Sequence, residues 1–223
     1  MMSSDEMTDQ ISGRQFLEAD GVADWRPIWG GAWACAYFRT GSLQIGVTLV
    51  EKIGALAATA GHDADVDLRA EGLTVRLFSG ACGLLSRRDV ELARAISVAA
   101  RELHIPADPS RVQHVQVSID ASVAAAARPF WCAVLGYDMF GDEDVFDPLR
   151  RGPTFTFQEM DEPRPQRNRI HIDVYLPHDQ VEARIAAAVA AGGHVVNDTN
   201  APHWWTLADP EGNEVDLAIW MSD

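Results

Sequence analysis

The chain has 223 residues and sets 18 Lys and Arg against 33 Asp and Glu, a formal net charge of −15. A surface this acidic offers no hold for nucleic acid or an anionic membrane, while 47% hydrophobic and 23% charged residues is the composition of a globular chain, not a disordered one. No apolar run approaches the roughly eighteen residues of a membrane span, and no basic segment leads into an apolar one as in a signal peptide.

In chain order, residues 1–10 are polar and read as a loose tail. Ile11 to Ala19 suits a short helix with Phe16 and Leu17 on its apolar side. From Trp25 to Thr40 the alternation predicts two strands, with Gly30 and Gly31 as the turn. Leu43, Val47, Val50 and Ile53 recur at helical spacing, and the helix runs to Ala60 and stops at Gly61. Asp65 to Ser79 reads as two strands around Glu71 and Gly72. Ser86 is a good N-cap with Asp89 three residues on, as in a capping box, before an amphipathic run from Val90 to Leu103. The first half, 11–105, is thus β-β-α-β-β-α.

Pro106 and Pro109 cannot continue that helix, so 106–110 is the expected linker. Beyond it, 111–223 holds a strand over Val112–Ile119, a helix over Ser122–Leu135 and a strand over Thr154–Met160. A strand over Arg169–Leu176 and a helix over Gln180–Ala191 follow. Two last strands, His203–Ala208 and Glu214–Trp220, flank the turn residues Asp209 to Asn213. Strand, helix, strands occurs twice, so this half is an internal repeat of β-α-β-β-β modules. The fold class is α+β with two domains. Cys35, Cys82 and Cys132 form no spaced cluster and leave at least one unpaired, which fits a reduced cytoplasm.

Strand alternation divides each strand of the second half into two faces. Val115, Val117 and Ile119 oppose His114, Gln116 and Ser118; Phe155 and Phe157 oppose Thr154, Thr156 and Gln158. Ile170, Ile172 and Val174 oppose His171, Asp173 and Tyr175; Val215 and Leu217 oppose Glu214 and Asp216. The apolar faces must take the helices. The polar faces then share the other side of the sheet, where each repeat opens with a histidine. Two imidazoles with Asp216 suit a divalent metal with open positions, without choosing between Zn, Ni, Mn and Fe(II). His104, His178 and His194 read as ordinary polar residues.

His114-Val115-Gln116-Val117, Phe130-Trp131 with Leu135-Gly136-Tyr137, Asn168 to Val174, and Asp209 to Asn213 together resemble the glyoxalase-like branch of the vicinal oxygen chelate superfamily, over about 111–221. The resemblance implies paired β-α-β-β-β modules curled into a metal cup. It places ligands at His114, at Gln158 or Thr156, at His171 and at Asp216, where glutamate is the commoner ligand. A bound cation in that family acts as a Lewis acid on a substrate with vicinal oxygens. The implied enzyme is a metal-dependent lyase or isomerase, with Glu214 moving a proton and Gln158 orienting substrate. Gln116, Thr156, Asp173, Tyr175 and Trp204 are candidate substrate contacts; Trp205, Phe140, Phe146 and Trp220 could complete an apolar wall, and Arg167 and Arg169 could meet an anion. The alternative is a metal-free protein that binds or sequesters a small molecule, because an acidic cup suits a cationic ligand.

The first half, with Gly61 to Leu68, Val75-Arg76-Leu77 and Gly83 to Asp89, resembles pterin-4a-carbinolamine dehydratases. That family's site implies a His-His-Pro turn and a later histidine. Here His62 keeps the first histidine, Asp63 and Ala64 replace the rest of the turn, Gly80 stands at the third position, and Asp89 keeps the partner carboxylate. A carbinolamine dehydratase needs a general acid and a base around the hydroxyl, so this half is expected to be a scaffold; residual dehydratase activity is the second alternative. Both resembled families imply association, and a homodimer is the expectation. Residues 1–110 carry 10 basic and 15 acidic residues and 111–223 carry 8 and 18, so most of the negative surplus lies with the candidate cup.

Overall fold

The computed structural model describes residues 9–78, 85–121, 125, 137–159, 170–190, 193–208 and 214–219. The chain divides into two compact units at Val112 and Gln113.

In the first unit, the short strand β1 (Gln10–Ile11) leads into helix α1 (Gly13–Leu17). Ser12 caps α1 in a box with Gln15, each side chain bonding the other's backbone N–H. Then come β2 (Arg26–Ile28), β3 (Trp33–Phe38), α2 (Leu43–Ala60), β4 (Ala64–Leu68), β5 (Leu73–Leu77), β6 (Leu85–Ser86) and α3 (Arg87–Glu102). The four longer strands form an antiparallel sheet in the order β2-β3-β5-β4. Its inner face, with Ala34, Ala36, Phe38, Leu73, Val75 and Leu77, packs on Leu49 and Ile53 of α2 and Leu92, Ala93 and Ile96 of α3. Trp25 is fully buried there, its indole N–H shared between the Ala93 carbonyl and Ser97 Oγ, both at 3.1 Å. On the outer face Trp33 lies between Trp29 and Phe78, with the Arg76 guanidinium 4.5 Å from its ring centre.

Three expectations change here. Gln10, assigned to the tail, pairs with Ser86 through β1 and β6, and Arg87 N–H bonds the Asp9 carbonyl, so chain entry is stitched to the start of α3. The 106–110 stretch is bound to the first unit. Arg39 N–H donates to the Pro106 carbonyl, Asp108 N–H to that of Tyr37, and the Arg39 guanidinium holds the Asp108 carboxylate at 2.5 and 2.9 Å. Finally, α2 has 18 residues and is apolar enough, by length and composition alone, to cross a membrane. In the fold Leu49, Ile53 and Ala57 are buried against the sheet and α3.

The second unit is built on one sheet of eight strands: β7 (His114–Ala121), β8 (Asp138–Phe140), β9 (Asp144–Phe146), β10 (Thr154–Glu159), β11 (Ile170–Tyr175), β12 (His194–Asn197), β13 (Trp204–Ala208) and β14 (Glu214–Ala218). Helix α4 (Val181–Ala190) follows β11. The order is β12-β13-β14-β11-β7-β10-β9-β8. β7 pairs parallel with β10, β11 pairs parallel with β14, and β7 and β11 join the modules antiparallel. The expected helix over Ser122–Leu135 lies almost wholly outside the described residues. Between the expected helix and the strand from Thr154, β8 and β9 make a hairpin that was not foreseen, and neither was β12. These strands have three or four residues, too few for alternation to register. The turn after β9 is fixed by Asp147. Burial opposes its ionisation, but the N–H groups of Leu149, Arg151 and Gly152 and the Arg151 side chain hold the carboxyl below its ordinary value.

The apolar faces do take the core. Val174, Leu207 and Leu217 pack with Val181 and Ile185 of α4, and Val117, Ile119, Phe155 and Phe157 pack with Val145 and Tyr137.

Candidate functional site

The opposite face of this sheet is polar and largely buried: His114, Gln116, Ser118, Thr154, Thr156, Asp173 and Tyr175 are all under a tenth exposed. Buried polar groups are normally paired, and most of these are. His114 Nε2 lies 3.0 Å from Thr154 Oγ1, Gln116 Nε2 donates to Asp144 Oδ1 at 3.1 Å, and Ser118 Oγ donates to Asp173 Oδ2 at 2.7 Å.

Pairing register fixes which candidates are neighbours. Across β7 and β11, Gln116 faces Asp173, His114 faces Tyr175 and Ser118 faces His171. Asp216 on β14 sits beside Asp173, and Thr154 on β10 beside Gln116. One row thus runs Thr206, Asp216, Asp173, Gln116, Thr154. Gln116 and Asp173 are equivalent positions of the two repeats that meet at the centre. His114 and His171 are equivalent as well, but in an antiparallel pair equivalent positions lie on opposite sides of that centre. Four residues of register separate them, about 14 Å between backbones at the rise of an antiparallel strand.

The remaining candidates take these places. Thr156 is buried beside Ser118, Gln158 is exposed at the far end of β10 beside Asp120, and Trp204 is partly exposed beside Ala218. Glu214 begins β14 opposite Ala208. The side chains of His171 and Glu214 lie outside the described residues, as do Arg167, Arg169 and Trp220. Among the described residues no three His, Cys, Asp or Glu side chains assemble round one ion. The described donors are instead spent on one another, His114 on Thr154 and Asp173 on Ser118.

Tyr175 is the exception to the pairing. It is 4% exposed, with its ring centre 6.3 Å from that of His114, yet its hydroxyl bonds no described residue. Burial pushes its ionisation far up, and the charges of Asp173, Asp144 and Asp216 add to the effect. Asp144, which accepts from Gln116, was not a sequence candidate; the alternation Asp144-Val145-Phe146 was its signal.

The first unit holds a different arrangement. Gly61 ends α2 in the left-handed conformation (φ 59°), which delivers His62 toward the start of α3. His62 Nε2 lies 2.7 Å from Asp89 Oδ1, and Asp89 Oδ2 accepts from Ser86 N–H at 2.7 Å and Ser86 Oγ at 2.8 Å. Asp89 is wholly buried. Its hydrogen bond raises the His62 pKa against the opposing effect of burial. Asp63 is exposed beside it, and Gly80 lies outside the described residues.

Residues 3–99 match the family model for pterin 4 alpha carbinolamine dehydratase, and residues 116–218 match that for a glyoxalase-like domain. A Nocardia farcinica protein described as a pterin-4-alpha-carbinolamine dehydratase is 37% identical over 60 residues, 27% of this chain and 63% of that protein, so the chain spans less than two thirds of it. Among solved structures, a transcriptional coactivator/pterin dehydratase from Brucella melitensis covers 44% of this chain and 97% of its own, at 17% identity and a TM-score of 0.35. A glyoxalase/bleomycin resistance protein/dioxygenase superfamily member from Vibrio splendidus covers 48% and 99%, at 14% identity and a TM-score of 0.32. The chain joins a pterin-4a-carbinolamine dehydratase domain to a glyoxalase-like domain, in that order.

Proposed function

We propose that the glyoxalase-like domain binds a small molecule on the polar face of its sheet, and that the pterin-dehydratase-like domain is its scaffold. The observation that carries this reading is the burial of the polar face: hydroxyl, amide, imidazole and carboxylate groups are withdrawn from bulk water and held in pairs before any ligand arrives. Preorganised polar groups beside aromatic rings are what a small-molecule site requires. Trp204 at the edge and Tyr175 within offer ring faces to the same ligand.

A metal-dependent lyase or isomerase is the rival reading. An ion would have to draw on His114, His171 and Asp216, and it would supply Lewis-acid stabilisation of a developing enediolate. Such a site needs His171, whose side chain lies outside the described residues, whereas binding alone requires no metal ligand set. Elemental analysis of the purified full chain separates the two. Binding predicts less than stoichiometric metal and no change in thermal stability on adding Zn, Ni, Mn or Fe(II). One tightly held ion per chain, lost on His171→Ala, would decide for the enzyme.

A second reading has its own support in the His62 and Asp89 pair, which keeps a histidine and a buried carboxylate in contact. Residual dehydratase chemistry predicts carbinolamine turnover above the spontaneous rate and its loss in His62→Ala. Turnover equal to the spontaneous rate leaves the domain as scaffold.

A further inference from the structure

Strand pairing gathers polar and aromatic side chains at one end of the polar face. Thr156 on β10 lies beside Asp144 on β9, and Asp144 beside Phe140 on β8. Gln116, on β7, joins them by donating from Nε2 to Asp144 Oδ1 at 3.1 Å. Phe140 and Phe146 share the face of Asp144, because Val145 between Asp144 and Phe146 turns into the core with Ile119 and Phe157. The two phenyl rings meet edge to face, 5.7 Å between centres, and both are partly exposed.

Two neutral groups at this end are unspent. A carboxylate only accepts, so the bond to Asp144 turns the Gln116 amide nitrogen toward β9 and leaves Oε1 as an acceptor. That oxygen meets no donor among the described residues, and the Thr156 hydroxyl bonds none of them either. Gln116 is 3% exposed and Thr156 8%, yet neither oxygen is sealed from solvent without a partner. Polar groups recessed this deeply are normally matched, and these two can be matched only by something that comes from outside. They are diagonal neighbours on adjacent strands, within reach of one ligand edge. The nearby carboxylates are by contrast engaged, Asp144 with Gln116 and Asp173 with Ser118.

We propose, building on the small-molecule reading above, that this end of the face takes a neutral planar aromatic ligand with an amide edge, a lactam fused to a ring. Its N–H donates to Gln116 Oε1, its carbonyl accepts from the Thr156 hydroxyl, and its ring lies against Phe140 and Phe146. The unspent groups are themselves neutral, so a neutral edge matches them. An anion would meet Asp144 instead, and none of the eight strands carries a lysine or arginine to offset it.

The test uses the full chain and three neutral probes. Carbostyril has both the lactam edge and the fused ring, its N-methyl derivative lacks the donor, and δ-valerolactam keeps the edge without the aromatic ring. Binding is followed by calorimetry and located by the backbone NMR signals of β7, β9 and β10. Carbostyril should bind at least about tenfold tighter than either of the others, because each forfeits a hydrogen bond or the ring contact. That preference should not change with salt, since no charge is neutralised. Thr156→Val and Phe146→Leu should each weaken carbostyril several-fold while the unfolding transition stays in place. Equal or tighter binding of either other probe, or carbostyril shifts confined to β13 and β14, would overturn the ligand class and leave the binding face standing. Silence from all three probes would overturn the ligand class as well, and the small-molecule reading is then decided separately by the metal analysis.

Discussion

His62 and His114 show what a buried histidine can mean in this molecule. Around His62 every polar atom of the partner carboxylate is used: Asp89 receives the imidazole on one oxygen and two donors from Ser86 on the other. The arrangement is closed, and it sits on the N-terminus of α3, where an acidic residue is stabilised by the helix dipole. Around His114 the imidazole meets Thr154 Oγ1 and the ring of Tyr175, and the Tyr175 hydroxyl bonds no described residue. A closed network spends its polar groups on the fold, whereas an open one keeps some in reserve for a ligand.

The largest way to break the comparison is Asp89→Ala. It removes the helix cap and leaves Ser86 and His62 without their acceptor, so the first unit should lose about 3 kcal/mol in denaturant unfolding. A loss within error would mean that the closed network does not hold the fold. Tyr175→Phe should matter far less. Its hydroxyl bonds no described residue, so removing it should leave the melting transition of the second unit within about 0.5 kcal/mol. A loss of more than about 1 kcal/mol would reveal a partner and weaken the contrast.

The pH dependence sharpens the first half of the comparison. The folded His62 pKa is raised by its hydrogen bond to Asp89. Its contribution is therefore complete below the ordinary imidazole value and disappears as pH rises through the higher folded value. Melting temperature of the first unit should fall across that window, and His62→Gln should flatten the profile. The smallest effect is expected at Arg39→Ala. Its ion pair with Asp108 is exposed on the arginine side, so stability should drop by less than about 1 kcal/mol. The reporter is proteolysis at 106–110, which should accelerate if that pairing pins the stretch to the first unit.

Most of the architecture was legible before any coordinate. Helices α2 and α3 follow from apolar spacing and from Gly61, Ser86 and Asp89, and β7, β10, β11 and β14 from alternation of valine, isoleucine and phenylalanine against polar residues. The short strands β1, β6, β8, β9 and β12 were not, because two to four residues show no period and exist through their partners. The candidate face was legible too, since alternation assigns His114, Gln116, Asp173, Tyr175 and Asp216 to one side. What alternation omits is position along that side. It suggested that two matched histidines would meet, whereas antiparallel joining of the repeats brings Gln116 to Asp173 and sets the histidines apart.

By itself the sequence determined the two-domain order, the α+β class, the polarity of the sheet face and the acidity of the second half. These depend on composition and on local periods of two and 3.6 residues. The tertiary structure decided which of the polar residues are neighbours, that Asp144 joins them from a short strand, and that Tyr175 is buried without a described partner. Those outcomes depend on strand order and register, which are set by packing between segments far apart in the chain.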